Sequence, residues 1–68
     1  MEKFNMAFKG DIKDLMFFFD NTYKGEDFET AFKNKRKLRI KQQIYSYDLI
    51  YILYRSIDGK YVLFEREI

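Results

Sequence analysis

The stretch from Asp48 to Ile68 constrains the fold most strongly, because it has the pattern of a β-hairpin. A six-residue apolar run, Leu49–Tyr54, is followed by Asp58-Gly59 and then by a second apolar and aromatic run, Tyr61–Phe64. An Asp-Gly pair between two such runs suits a two-residue hairpin turn, since both central positions need a positive φ angle. The sequence therefore predicts two antiparallel strands joined at this turn.

The same turn predicts which residues lie opposite each other. A two-residue turn pairs Ile57 with Lys60 and places Leu53 opposite Phe64. One face of the hairpin would then join the core, and it carries Leu49, Tyr51, Leu53, Ile57, Val62, Phe64 and Ile68. The other face carries Ile50, Ile52, Tyr54, Tyr61, Leu63, Glu65 and Glu67. Because the first strand is apolar on both faces, we expect it to be a central strand with neighbours on both sides.

Two helices are predicted in the first half of the chain. In the first, Ile12–Asp20, the apolar residues fall on one face and Asp11 is a suitable N-cap. The second begins near Glu26-Asp27 and ends among the cations of Lys33–Arg36, which suit a helix C-terminus. For Met1–Gly10, the spacing of apolar residues fits a strand and a helix equally well.

The order of these segments predicts an α+β fold. Helices followed by strands favour a class in which the helices pack on one face of an antiparallel sheet. We expect a single small domain over residues 1–68, with a helical half over about 11–36 and a β-sheet half over about 37–68. Its N-terminal helices would pack on a three-stranded antiparallel β-meander.

The composition argues against several kinds of chemistry. The chain has no Cys and no His, so it lacks a thiol nucleophile, the usual general base and the soft metal ligands. Its three glycines, Gly10, Gly25 and Gly59, are scattered singly and form no phosphate-binding loop. The sequence therefore predicts a non-catalytic protein without metal or cofactor. No run is long enough to span a membrane and no signal peptide is recognisable, so we expect a cytoplasmic location.

The segment 33–41 holds six cations and no acid, whereas the whole chain has a net charge of +2. From Lys37 onward, charged and apolar residues alternate, which predicts a half-buried strand. Its apolar side would carry Leu38, Ile40 and Ile44, and its outer side Lys37, Arg39, Lys41, Gln43 and Tyr45. A short turn at Ser46-Tyr47 would place Ile40 opposite Leu53, on the core face of the hairpin.

Three interpretations of this basic strand remain open. It can be a solvated face that discourages strand pairing and balances Glu65 and Glu67 across the sheet. It can contact phosphates while Tyr45, Tyr47 and Tyr54 stack on single-stranded bases. It can also recognise an acidic protein surface. A pI of 8.9 and the neighbouring acids weaken the nucleic-acid interpretation.

The run Met16–Phe19 contains three consecutive phenylalanines, which span about 200° of a helix circumference. Phe19 fits the apolar face of the first helix, together with Leu15 and Met16. Phe17 or Phe18 should therefore be exposed to solvent. Exposed apolar side chains on small proteins tend to contact partners, so we expect a protein partner or a second copy of the chain here.

Together these features predict a small binding protein that acts by protein-protein contact. The small size, the high aromatic content of 21% and the bias toward Lys, Ile, Asn, Tyr and Phe suggest a phage or mobile-element regulator or inhibitor that occludes a host protein. The expected partner-binding residues are Lys37, Arg39, Lys41, Tyr45, Tyr54, Phe17 and Phe18. The alternative is a single-stranded nucleic-acid-binding protein that uses residues 33–41.

Overall fold

The computed structural model describes residues 3–23, 25–33, 37–46 and 48–68. In these ranges the elements are, in chain order, β1 (Asn5–Gly10), α1 (Ile12–Thr22), α2 (Phe28–Ala31), β2 (Lys41–Tyr45), β3 (Leu49–Arg55) and β4 (Tyr61–Glu67). The four strands form one antiparallel sheet in the order β1-β4-β3-β2. The predicted α+β class is confirmed, but the sheet has four strands rather than three.

The additional strand comes from the N-terminal segment, whose pattern had fitted strand and helix equally. β1 pairs with β4, so that Asn5 lies opposite Glu65, and a register irregularity separates Met6 from Phe8. β1 therefore covers the edge of β4 that a three-stranded meander would leave open. β3 lies between β4 and β2, which confirms that the apolar run Leu49–Tyr54 belongs to a central strand.

Helix α1 confirms the first predicted helix and extends two residues further, to Thr22. Asp11 stands at its N-cap with extended backbone angles, and its carbonyl oxygen accepts the first helical hydrogen bond from the N–H of Leu15 at 2.9 Å. The Asp11 side chain does not cap the helix. It accepts a hydrogen bond from Lys60 Nζ at 2.8 Å, which links the start of α1 to the residue that precedes β4.

Helix α2 is a single turn, shorter than the sequence predicts. Asp27 caps it, because its Oδ1 accepts a hydrogen bond from the N–H of Thr30 at 2.8 Å. Phe28 and Phe32 lie one turn apart and are both fully buried. The predicted continuation through residues 34–36 lies outside the described residues.

The predicted register of the β3–β4 hairpin is wrong by one residue. The N–H of Ser56 donates to the carbonyl oxygen of Lys60 at 2.9 Å, and Leu53 lies opposite Leu63 instead of Phe64. The loop therefore contains three residues, and it ends at Gly59 with a φ angle of 83°. Three-residue hairpin loops commonly use such a left-handed residue. A one-residue shift turns every side chain of β4 to the opposite face of the sheet.

This correction changes which hairpin residues reach the core. Tyr61, Leu63, Glu65 and Glu67 share the face of Leu49, Tyr51 and Leu53, which is the face toward the helices. Val62 and Phe64, expected in the core, lie on the other face of the sheet. Ile57, also expected in the core, is fully exposed in the loop, and Ile68 is 70% exposed.

The predicted register of β2 is wrong by two residues, which keeps its side chains on the expected faces. The N–H of Ser46 donates to the carbonyl oxygen of Leu49 at 2.8 Å, and Ile44 lies opposite Tyr51. Ile44 thus still packs toward the helices. The strand begins at Lys41 rather than Lys37, however, and Ile40 is 70% exposed instead of buried.

The core lies between the helices and one face of the sheet and is largely aromatic. Its buried members are Leu15, Phe19, Phe28, Phe32, Leu38, Tyr51, Leu53 and Leu63. The ring of Phe19 lies at the centre, with ring centroids of Tyr23, Phe28, Phe32 and Tyr51 between 4.8 and 5.9 Å away. Edge-to-face contacts of this kind add to the stabilisation that burial itself provides.

We expect Gly59→Val to destabilise the fold by about 1–2 kcal/mol, because side chains with a Cβ branch strongly disfavour a positive φ angle. A Cβ atom at Gly59 would meet no atom within 4 Å, so the cost would come from the backbone alone. Urea denaturation followed by circular dichroism measures it. Gly59→Asn should lose less, since Asn tolerates left-handed angles. Equal stability of Gly59→Val and the wild type would contradict the three-residue loop.

Candidate binding surfaces

The face of the sheet that points away from the helices is here called the open face. Residues directly opposite each other in an antiparallel pair point to the same side, so the register defines the members of this face. They form three cross-strand rows: Lys9, Val62, Tyr54 and Lys41; Met6, Phe64, Ile52 and Gln43; and Arg66, Ile50 and Tyr45. Two of the three rows therefore cross all four strands.

The open face carries positive charge and aromatic rings. Among its described strand residues, three are cations and none is a carboxylate. Glu65 and Glu67, which the predicted register put beside Tyr54, lie on the helix side. The acids expected to balance the basic strand are thus separated from the open face by the thickness of the sheet.

Cations and rings of the open face contact one another. Lys41 Nζ lies 5.6 Å from the ring centroid of Tyr54, and that ring stands at 90° to the ring of Phe64, with 5.7 Å between centroids. The guanidinium of Arg66 lies 5.2 Å from the ring centroid of Phe4. These distances are within the range of cation–π attraction, so the charged groups lie beside aromatic surface.

Exposure varies across the open face. Tyr45 is 70% exposed and Met6 is 62% exposed, and they lie on the two edge strands β2 and β1. Ile50 and Ile52, on the central strand β3, are buried although they lie outside the core between helices and sheet. The open face therefore has an apolar floor on its central strand and accessible side chains toward its edges.

A second surface is a shallow basic cleft beside β2. It is lined by Lys33, Lys37, Arg39, Lys41, Gln42 and Gln43. The structure thus brings together three of the predicted partner-binding residues, Lys37, Arg39 and Lys41, and adds Lys33. Lys41 belongs to both surfaces, because it lies on the open face and also lines the cleft.

The phenylalanines of α1 lie on another side of the molecule. Phe17 is 72% exposed, as expected for one of the pair. Phe18 is half-buried, with its ring stacked on Phe8 at a centroid distance of 5.3 Å. Because α1 packs on the helix side of the sheet and Tyr54 lies on the open face, Phe17 and Phe18 do not share one continuous surface with the other predicted partner-binding residues.

A third surface was missed by the sequence reasoning, because it is formed by two residues that were expected in the core. Ile40 and Ile57 line one cleft at the end of the sheet, here called the end cleft, and they are 70% exposed and fully exposed. The cleft is completed by Arg55, Ser56, Gly59 and Tyr61. The possible signal was the loop length, because a three-residue hairpin loop places Ile57 in the loop and not in the core.

Two tyrosine–carboxylate pairs connect the helical segment to the sheet. The Tyr51 hydroxyl donates to Glu26 Oε2 at 3.1 Å, and the Tyr23 hydroxyl donates to the carboxylate of Glu65. Burial raises the pKa of Tyr51 to about 12, and the hydrogen bond to Glu26 acts in the same direction while Ser46 opposes it. Burial and the bond to Glu65 also raise the pKa of Tyr23.

The pKa values of Tyr23 and Tyr51 are raised further above neutral pH. A general acid or base works best with a pKa near the working pH. Both hydroxyls stay protonated at neutral pH and donate to carboxylates. The pairs therefore tie Tyr23 to β4 and Glu26 to β3, and their evident role is to hold the segment between α1 and α2 against the sheet.

Over the described ranges, no helix is both long and apolar enough to cross a membrane. In the same ranges, no three or more His, Cys, Asp or Glu residues are grouped so that they could hold a metal ion. Comparison of the chain with protein-family models, with curated proteins and with solved structures found no match.

Proposed function

We propose that the protein is a small non-catalytic binding protein that acts by protein-protein contact. The observation that supports this most directly is the end cleft, where Ile40 and Ile57 lie exposed in one place. Single exposed apolar residues are ordinary, whereas a contiguous exposed apolar patch is a candidate interaction site. Burying both side chains against a partner would remove apolar surface that the isolated chain leaves in water.

The composition of the end cleft indicates the kind of contact. Ile40 and Ile57 supply apolar surface, while Arg55 and Tyr61 belong to the residue types that protein interfaces favour. Arg39 and Lys41 flank Ile40 in the chain, so an acidic partner would be drawn toward this end of the molecule. An apolar side chain of the partner would pack between the isoleucines while its carboxylates meet the cations.

The biological role that follows is regulation by occlusion. A protein of 68 residues that covers a functional surface of a host protein would inhibit it without any chemistry of its own. We propose such a role for a phage or mobile-element protein in the cytoplasm. Phe17 would supply a separate contact on α1, in preference to Phe18, whose ring already packs on Phe8.

The test compares capture of host proteins by the wild type and by the variant Ile40→Ser/Ile57→Ser. A partner that uses the end cleft should be captured by the wild type and lost from the variant. The captured protein is then purified, and its dissociation constant is measured by calorimetry. We expect the double substitution to weaken binding by at least about 100-fold, since each buried isoleucine contributes on the order of 1.5–3 kcal/mol.

Ile68→Ser provides the matched control. Ile68 is as exposed as Ile40 but lies at the C-terminal end of β4, away from the end cleft. Its substitution should leave the dissociation constant within about twofold of the wild type. If every captured protein binds the end-cleft variant as tightly as the wild type, the end cleft is not the contact surface.

A further inference from the structure

We infer that the open face binds single-stranded nucleic acid, with bases stacked on its aromatic rings and phosphates held by Lys9, Lys41 and Arg66. This site shares no lining residue with the end cleft, although Lys41 follows Ile40 in the chain. The inference rests on the charge of the face, on the placement of its rings and on its shape.

The charge of the open face suits a polyanion. Lys9 and Lys41 stand at the two ends of one row, on the outer strands β1 and β2, and Arg66 lies on β4 in another row. Three inter-strand spacings separate the outer strands, roughly 14 Å in all. A nucleic-acid strand that crosses the sheet would meet a cation at each edge and no carboxylate among the described strand residues between them.

Aromatic rings lie on the same face as these cations. Tyr54 and Phe64 occupy the central strands β3 and β4, and Tyr45 lies exposed on β2. Gln43 Nε2 donates to the Tyr45 hydroxyl at 3.0 Å, which fixes the position of the most accessible ring. Base–aromatic stacking is largely independent of sequence because every base has a π-face. Single-stranded binding without strong sequence preference is therefore expected.

The shape of the site favours a single strand over a duplex. Proteins read duplex DNA mainly by placing a helix or a two-stranded ribbon in the major groove, whereas the central strands of this sheet are enclosed by neighbours. Stacking on a sheet requires bases that are splayed out of a helix. Aromatic rings also occur in protein interfaces, so an acidic protein surface is the alternative that binding of polyglutamate tests.

The experiment measures fluorescence anisotropy of a labelled oligothymidylate of about 12 nucleotides, with a duplex of the same length beside it. We expect micromolar binding to the single strand and weaker binding to the duplex. Three phosphate contacts on a single strand predict that affinity falls about 20-fold between about 50 and 200 mM salt. Binding that is absent at low salt, or equally tight for the duplex, would overturn the inference.

Two variants on the open face are paired with matched controls elsewhere. Tyr45→Ala removes an exposed ring and should weaken oligonucleotide binding about tenfold, whereas Phe17→Ala removes an equally exposed ring from α1 and should leave oligonucleotide binding unchanged. Lys41→Glu should weaken binding and flatten the salt dependence, while Lys13→Glu makes the same charge change on α1 without effect. Equal losses in variants and controls would contradict the site.

Two further readouts separate the alternatives. Amide chemical shifts in ¹⁵N NMR spectra should change on all four strands when the oligonucleotide is added, and circular dichroism should show that each variant is folded. If polyglutamate binds with the same dependence on Tyr45 and Lys41 while the oligonucleotide does not, the open face belongs to an acidic protein partner and the inference fails. Because the end cleft is tested by Ile40 and Ile57, the two proposals can fail independently.

Discussion

Replacing Phe19 by alanine is expected to abolish folding at room temperature. Phe19 is fully buried, and four other aromatic rings pack around it between the helices and the sheet. Truncating a buried phenylalanine to alanine typically costs 3–5 kcal/mol, because the site loses transfer free energy and cannot collapse completely. A domain of this size rarely has more than about 3–5 kcal/mol of stability in total. The far-ultraviolet circular dichroism of Phe19→Ala should therefore be that of an unfolded chain.

Phe17→Ala is the matched control, since it makes the same substitution on the same helix at a residue that is 72% exposed. It should change the free energy of unfolding by less than about 0.5 kcal/mol. Phe19→Leu keeps most of the apolar volume and should be folded but less stable than the wild type. If Phe19→Ala unfolds at the same urea concentration as Phe17→Ala, the aromatic cluster is not the core that holds the sheet and helices together.

The contrast between Phe17 and Phe19 also illustrates what the sequence could predict. Helical periodicity is a local property, and residues two apart on a helix point in different directions whatever the rest of the chain does. The burial of Phe19 and the exposure of Phe17 or Phe18 could thus be read from the sequence. The fold class and the central position of Leu49–Tyr54 followed from patterns of the same kind.

The register of the hairpin could not be predicted in this way. The segment Ser56–Lys60 fits a two-residue turn at Asp58-Gly59 and also a three-residue loop that ends at Gly59. The two loops differ in whether Leu63 or Phe64 packs on the core, which depends on contacts with distant helices. Because the shift also decides the face on which Glu65 lies, the charge of the open face could not be predicted either.

The N-terminal strand could not be predicted from local sequence patterns either. The pattern of Met1–Gly10 fitted a strand and a helix, and the choice depends on pairing with β4, where Asn5 meets Glu65 about sixty residues later. Such pairing has no local signal. The position of Lys9 and Met6 on the open face consequently could not be predicted without the sheet order.

Raising the pH above 10 is expected to destabilise the protein steeply. Below pH 10 the Tyr51 hydroxyl is protonated in both the folded and the unfolded chain, so its contribution to stability is fully present. Between pH 10 and 12 the unfolded chain releases this proton, whereas the folded chain keeps it because the pKa of Tyr51 is raised to about 12. One such group lowers the free energy of unfolding by about 1.4 kcal/mol per pH unit in this window.

The pKa of Tyr23 is raised as well, through burial and Glu65, and it acts in the same direction. Urea midpoints measured between about pH 9 and 12 should therefore fall, and the fall should be shallower for Tyr51→Phe. At neutral pH that variant should lose about 1 kcal/mol with its hydrogen bond to Glu26. Lysine deprotonation affects both proteins alike, so the difference between their profiles isolates Tyr51. Parallel profiles would mean that burial does not raise the pKa of this hydroxyl.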